Sequence, residues 1–367
     1  MRILCLQENL KNNLLILERI SSKNQELPIL GNVLLKTETG FLKAFATDLE
    51  IGVEIAIPCK IEKKGEVVVP IKLISGFIAN LPNTKITLEE KNNKIILETE
   101  GITTSIPTAN KNEFPLIPQM KEENKIILQG EDIKNGIMQV INSVAVSSSI
   151  PEIAGVLFVC SHDGVKIVAT DSFRLSEKTL FKNKNYSLQK EQSFILPAKA
   201  AGELTKIITP ADETIEVLLA QNQVMFKLKN IILVSRLVAG EYPNYERIIP
   251  KASKTKIALT KTEFISKLKL ASLFSSKIND IRLVVNAHKK EIEIRSADQG
   301  KGEFSATIHA DMQGENAEVL FNYKYLLDGL SNMQEEDIVF ELNGSAAPAT
   351  IKSKNDAYQY VAMPIKM

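Results

Sequence analysis

The sequence predicts an α+β protein made of three copies of one unit, each combining antiparallel sheet with two helices. Three observations carry this. Two long segments match each other, at an offset of 123 residues as far as Thr47-Asp48 and Thr170-Asp171, with a fainter third copy behind them. Hydrophobic periodicity alternates along each copy between 3.6, the helical repeat, and 2, the strand repeat. Strand-like runs outnumber helical ones and are joined by short polar turns, the pattern of antiparallel sheets rather than of βαβ crossovers.

The first copy opens with the apolar strand Leu4-Cys5-Leu6-Gln7, runs into a helix over 7–20, then passes Pro28-Ile29-Leu30-Gly31-Asn32-Val33-Leu34 and Phe45-Ala46-Thr47-Asp48. Val69-Pro70 leads into a second helix over 71–80. The turn Glu90-Lys91-Asn92-Asn93 separates Ile86-Thr87-Leu88 from Ile95-Ile96-Leu97 as a hairpin. The second copy repeats this order: Ile127-Leu128-Gln129, a helix over 132–145, Pro151-Glu152-Ile153-Ala154-Gly155-Val156-Leu157, Val168-Ala169-Thr170-Asp171, then Leu196-Pro197 before a helix over 198–208. A hairpin is expected at His162-Asp163-Gly164, and Glu113-Phe114-Pro115 recurs as Glu241-Tyr242-Pro243. The third copy has Lys256-Ile257-Ala258-Leu259, a helix over 261–274, a hairpin at Ala287-His288-Lys289-Lys290 and a helix over 323–332. Polar stretches at Lys121–Asn124 and Lys251–Lys254 place the boundaries, giving domains 1–124, 125–254 and 255–367.

Charged residues are 24% and hydrophobic residues 44% of the chain, which excludes a disordered or fibrous protein. No window approaches a membrane span, and Arg2 and Glu8 interrupt any signal-peptide core, so a cytoplasmic location without membrane association is expected. Cys5, Cys59 and Cys160 are odd in number and far apart, and are read as reduced, buried thiols.

Catalytic spacings are missing: there is no P-loop, G-x-G-x-x-G, H-E-x-x-H or G-x-S-x-G pattern. Ser187-x-x-Lys190 and Ser266-x-x-Lys269 read as solvated surface rather than as nucleophile pairs. Cys160-x-His162 supplies two ligands where a closed zinc site needs four, and His288 and His309 stand alone, so no catalytic residue, metal or cofactor is expected. Charge is nevertheless sorted. The six helix windows, taken with their flanking residues, sum to about +5 in a chain of net charge +1, leaving the remainder near −4. A mildly basic helical surface attracts phosphates without reading bases. On the residues alone, a nucleic-acid-processing enzyme and a peptide-binding scaffold stay open beside it.

The repeats, together with Ala169-Thr170-Asp171-Ser172-Phe173-Arg174-Leu175, Leu27-Pro28-Ile29-Leu30-Gly31-Asn32, Tyr242-Pro243-Asn244-Tyr245-Glu246-Arg247-Ile248-Ile249-Pro250 and the end Tyr360-Val361-Ala362-Met363-Pro364-Ile365-Lys366-Met367, resemble the bacterial DNA polymerase III beta subunits, the sliding clamps, over the whole length. That resemblance implies a head-to-tail homodimer closed as a ring, with sheets outside and two helices per domain lining a hole around duplex DNA, held without sequence preference. It implies a processivity factor that tethers the replicative polymerase in replication and repair, and also binds the clamp loader and other proteins bearing a clamp-binding motif.

Carried over by motif, the partner-peptide pocket would comprise Ile153, Thr170, Ser172, Phe173, Arg174, Leu175, Pro243, Arg247, Ile248, Tyr325, Val361, Met363, Pro364 and Ile365. DNA-facing candidates are Lys11, Lys23, Lys72, Lys134, Lys199, Lys206, Lys267 and Lys269. Many members carry Arg before the Leu-Pro-Ile-Leu motif, where this chain has Asn24 and Gln25. The ring contact would join Thr104 and Ile106 of the first domain to Leu273 and Phe274 of the third. The family usually has Gly-His where this chain has Ser172-Phe173, a change that bears on the turn and on peptide preference.

Overall fold

The computed structural model describes residues 1–21, 26–115, 125–146, 149–183, 186–188, 190–353 and 357–366. The chain forms two compact units: Met1–Glu131 with Ser187–Gln189 and Lys206–Leu237, and Asp132–Tyr186 with Lys190–Thr205 and Val238–Met367. Every strand pairing described within them is antiparallel.

The first unit holds a five-stranded sheet in the order Lys60–Lys63, Arg2–Leu6, Lys85–Lys91, Lys94–Thr99, Ile102–Pro107. Its nine-stranded sheet joins strands of the first two sequence repeats where Ile231–Arg236 pairs with Ile51–Pro58, Leu233 opposite Val53. Helices α1 (Gln7–Ile20) and α2 (Ile71–Ala79) pack together. Buried Leu10, Leu14, Leu17 and Ile20 of α1 and Ile71, Ile74 and Ile78 of α2 recur at helical spacing and form one apolar stripe each. Gln7 is buried between them and donates through Nε2 to the carbonyl of Ile78 at 2.7 Å, so its amide is not left unpaired in the core.

In the second unit the corresponding joint pairs Arg174–Phe181 with Tyr358–Ala362, Leu175 opposite Val361, within another nine-stranded sheet. A four-stranded sheet runs Gly302–His309, Glu291–Asp298, Asp280–Asn286, Ala317–Asn322. Because each large sheet continues from one sequence repeat into the next, compactness follows the sheets, and three repeats give two units. Most of α3 (Gly130–Val140) and α4 (Ala198–Ile207) belongs here, with α5 (Lys261–Ser272) and α6 (Tyr323–Ser331). Phe264, Leu268, Ala271, Leu326 and Leu330 bury the α5–α6 face against Phe321 and Phe340.

Two helices stop more than one residue earlier than periodicity predicts. The reading of 132–145 fails after Val140, where the chain tightens into the 3₁₀ turn Ile141–Ser143. Ser143 Oγ lies 2.6 Å from Ser176 Oγ, and the amide of Ala145 donates to the carbonyl of Ile153, so tertiary hydrogen bonds replace the next helical turn. The reading of 261–274 ends at Ser272 because Ser272 and Ser275 Oγ donate to the carbonyls of Lys269 and Ser272, closing the last turn locally. All three expected hairpins form, with turns at Asn92–Asn93, His162–Asp163 and Ala287–Lys290.

Candidate functional site

The expected pocket residues all lie in the second unit and are organised by one turn. After strand Gly164–Thr170 the chain reverses through Asp171, Ser172 and Phe173 into Arg174–Phe181. Thr170 Oγ1 donates to the carbonyl of Arg174 at 2.6 Å and accepts from the amide of Ser172 at 3.2 Å. Asp171 Oδ1 accepts from the amides of Phe173 and Arg174, both at 3.0 Å. Side chains thereby satisfy every amide from Ser172 to Arg174, which lets a non-glycine residue, Ser172, hold φ +76°. The first repeat builds the same turn from Thr47, Asp48 and Leu49, with Leu49 again at φ +76°. The Ser172 departure therefore keeps the turn, at a cost in backbone strain.

Arg174 is the electrostatic centre. Its Nε donates to Asp171 Oδ2 at 2.9 Å, its Nη1 to Asp328 Oδ2, and its guanidinium sits 4.7 Å from the ring centroid of Tyr325. Burial works against its charge, but Tyr360, Asp328 and Asp171 outweigh that and raise its proton affinity further. Tyr325 and Asp328 are three apart on α6, so one helical face presents both the ring and the carboxylate. Gly329 follows because a Cβ there would come within 2.4 Å of the Tyr360 ring.

The floor beneath the turn is apolar. Leu175 and Val361, paired across strands, cluster with Leu157, Val168, Ile195 and the buried ring of Tyr245. Tyr242 meets Tyr245 edge-on at 6.5 Å, and burial pushes both phenols above their ordinary range. Thr170 and Ile153 are also buried; the Ile153 carbonyl is held by Ala145. Exposed apolar surface comes instead from Phe173, 59% accessible and stacked on Tyr325 at 6.5 Å, and from Ile248, with Tyr325, Met363, Pro364 and Ile365 half-buried. Strand Tyr358–Ala362 ends before Met363, whose amide donates to the carbonyl of Phe173, while that of Ile365 donates to Leu320. The C-terminal segment is thus fastened beside the turn. Pro243 and Arg247 are exposed on the stretch that carries Tyr242 and Tyr245.

Asp171, Asp328, Tyr242 and Tyr245 belong to this arrangement although the sequence reading did not place them there. Asp171 and both tyrosines stand inside the Ala169–Leu175 and Tyr242–Pro250 motifs, whereas the only sequence signal for Asp328 is its i+3 spacing to Tyr325.

Of the helix lysines, Lys72, Lys199, Lys206 and Lys269 are exposed and Lys11, Lys134 and Lys267 half-buried, Lys267 lying 3.8 Å from Glu263. Lys23, like Asn24 and Gln25, lies outside the described residues. Thr104 and Ile106 are on the outermost strand of the five-stranded sheet, Ile106 facing its own core at 2% accessibility. Leu273 is 64% exposed, and Phe274 stacks on Phe304 of the outermost strand Gly302–His309 at 5.9 Å. A cavity of about 610 Å³ in the same sheet is lined by Arg282, Arg295, Ser296 and Phe304 and shares no residue with the expected pocket. Among the described residues no group of three His, Cys, Asp or Glu could hold a metal, and no helix is long and apolar enough to cross a membrane.

Comparison with known proteins gives this arrangement its family. Sequence models of the DNA polymerase III beta subunit match in order, the N-terminal domain over residues 1–118, the central domain over 127–244 and the C-terminal domain over 246–366. The beta sliding clamp of Staphylococcus epidermidis is 27% identical over 94% of both chains, and that of Synechococcus elongatus 26% identical over the full length of both. The sliding clamp of Bacillus subtilis superposes with TM-score 0.94 at 25% identity, covering 100% of this chain and 99% of that one. A Pseudomonas aeruginosa sliding clamp solved bound to griselimycin gives TM-score 0.95 at 24% identity over the full length of both. With all three domain models aligned in sequence order on an antiparallel, sheet-rich α+β framework, the chain belongs to the DNA polymerase III beta subunit family, the sliding clamps of DNA replication.

Proposed function

We propose that this chain is a non-catalytic processivity factor without metal or cofactor: a head-to-tail homodimeric ring of three domains per protomer, 1–124, 125–254 and 255–367. It encircles duplex DNA, slides on it and tethers the replicative polymerase, the clamp loader and other motif-bearing partners. The observation that carries tethering is the convergence at Arg174, where the Thr170–Arg174 turn, the Tyr325–Asp328 face of α6 and the fastened Met363–Ile365 segment meet. Aromatic and aliphatic rims beside a fixed guanidinium and backbone carbonyls suit a short peptide with apolar anchors, and Met363 can adapt to different ones.

Ring closure is supported by two of the outer sheet edges among the described residues. Ile102–Pro107 and Gly302–His309 each present an outermost strand with exposed Thr103, Ser105, Ser305 and Thr307. A free edge of this kind templates further pairing unless a partner covers it. Pairing one edge with the other from a second copy joins unlike surfaces, so closure depends on protomer curvature. Leu273, adjacent to Phe274 on that side, supplies apolar area. The exposed lysines on the helices contact phosphates weakly and without base readout, which permits sliding.

Titration of the intact protein with a fluorescent clamp-binding peptide bearing Leu and Phe anchors tests the pocket. Saturable binding that falls at least tenfold, roughly 1.4 kcal/mol, in Met363→Ala and in a chain truncated after Ala362 is expected. Equal binding by all three proteins would remove the pocket from this surface.

A further inference from the structure

Cys5 and Cys59 are far apart in sequence but are brought together at a corner of the first unit. Strand Arg2–Leu6 pairs with Lys60–Lys63 in a register that sets Ile3 opposite Ile61 and Leu4 opposite Lys60. Continued one step past the end of the strand, that register would set Cys5 opposite Cys59. Side chains two residues apart on a strand share a face, so Cys5 lies on the side of Ile3, and the same register continued would put Cys59 on the side of Ile61. Cys5 Sγ lies 3.4 Å from the carbonyl oxygen of Pro58, the group bonded directly to the Cys59 nitrogen. Cys59 is itself the hinge between Ile51–Pro58, in the nine-stranded sheet, and Lys60–Lys63, in the five-stranded sheet. A bond between the two sulfurs would tie the corner at which the chain leaves one sheet for the other.

We propose that Cys5 and Cys59 form an oxidisable pair that closes into a cross-strand disulfide when the protein meets a peroxide. The facing positions of an antiparallel pair lie near the separation a disulfide requires. Cys59 is the half-buried member and reacts first. Its thiolate attacks one peroxide oxygen, the O–O bond breaks, and a sulfenic acid forms as hydroxide leaves and takes up a proton. The Cys5 sulfur then attacks that sulfenic sulfur: the S–S bond forms, the S–O bond breaks, and a second water carries away the oxygen with the Cys5 proton. Two thiols are oxidised and one peroxide is reduced to two waters.

Desolvation pushes the Cys5 thiol up to about 12, with Cys59 adding to the shift, and burial raises Cys59 as well. Closure is therefore slow at neutral pH and accelerates as pH rises. It answers sustained oxidant rather than brief pulses. Cys160, buried in Gly155–Ser161 of the other unit, is a built-in control.

The test treats the full-length protein with hydrogen peroxide, unfolds it in alkylating reagent without reductant, and maps the peptides by mass spectrometry. The expected product has lost two hydrogens, is alkylated only at Cys160 and yields a peptide joining Cys5 to Cys59; dithiothreitol reverses it. Cys160→Ala should retain the cross-link and Cys59→Ser should abolish it. Oxidised protein should melt several degrees above reduced protein, with no such rise in Cys59→Ser. Alkylation of all three cysteines after oxidation, recovery of Cys59 as a sulfinic acid without the cross-link, or a melting point that does not rise on closure would overturn the proposal. Because every readout is made on the free protein, its failure would leave the clamp reading untouched.

Discussion

Ser172 and Arg174 show how one turn stores and offsets strain. A left-handed residue other than glycine costs about 1 kcal/mol or more, here opposed by the Thr170 and Asp171 hydrogen bonds. Ser172→Gly should therefore stabilise the protein by about 0.5 kcal/mol net of the entropy glycine loses on folding, read as a small rise in melting temperature with peptide binding retained. Arg174→Ala strands two carboxylates, Asp171 only 15% exposed and Asp328 42%. With that exposure screening part of the charge, a cost of about 2 kcal/mol is expected, together with loss of peptide binding. Arg174→Lys should not restore binding, because an ammonium can neither fork between two carboxylates nor lie flat on Tyr325. Full rescue by Lys would show that only charge matters here. The motif containing Thr170, Asp171 and Arg174 was legible in the sequence, but its geometry was not. Nothing in the residue string says that Thr170 bonds four residues on, and the Arg174–Asp328 pair spans 154 positions.

At the scale of elements, helices and hairpins were readable because their signals are local. The α1 stripe Leu10, Leu14, Leu17, Ile20 fixes its helix without reference to anything distant. Ends were read less well where long-range bonds intervene, as at Ser143, whose hydroxyl meets Ser176. The proposed ring contact rests only in part on residues that stand out in the sequence. Leu273 and Phe274 drew notice as adjacent large apolar residues, but the strand Gly302–His309, polar and unremarkable in sequence, became visible only as the free edge against which Phe274 packs. For the helix lysines, Lys72→Glu with Lys269→Glu should leave the unfolding free energy within about 0.5 kcal/mol of the parent, since both are exposed. The same pair should lower retention on duplex DNA and flatten its dependence on salt. Unchanged DNA retention at low salt would remove these lysines from the contact.

For the whole molecule, the repeats foretold three similar domains, yet not that shared sheets would gather them into two units, since strand partners such as Leu233 and Val53 are set by tertiary pairing. Burial also gives the fold an alkaline limit. Tyr242, Tyr245 and Tyr360 are held protonated above their ordinary value of 10.0, chiefly by desolvation. A raised value in the folded state means the contribution is fully present below pH 10 and is lost as pH climbs beyond it, where the unfolded chain ionises first. Tyrosinate absorbance for these residues should accordingly appear late and together with unfolding. Early, independent titration would contradict their burial.

In the ring proposed above, two protomers close through the edges Ile102–Pro107 and Gly302–His309. Light scattering at micromolar concentration tests it most directly, with Leu273→Asp measured alongside. The account predicts a mass of twice 40.7 kDa for the parent and, because Leu273 is exposed within its own protomer, a folded single protomer for the variant. A parent of 40.7 kDa, or a variant that remains dimeric with undiminished stability, would contradict it.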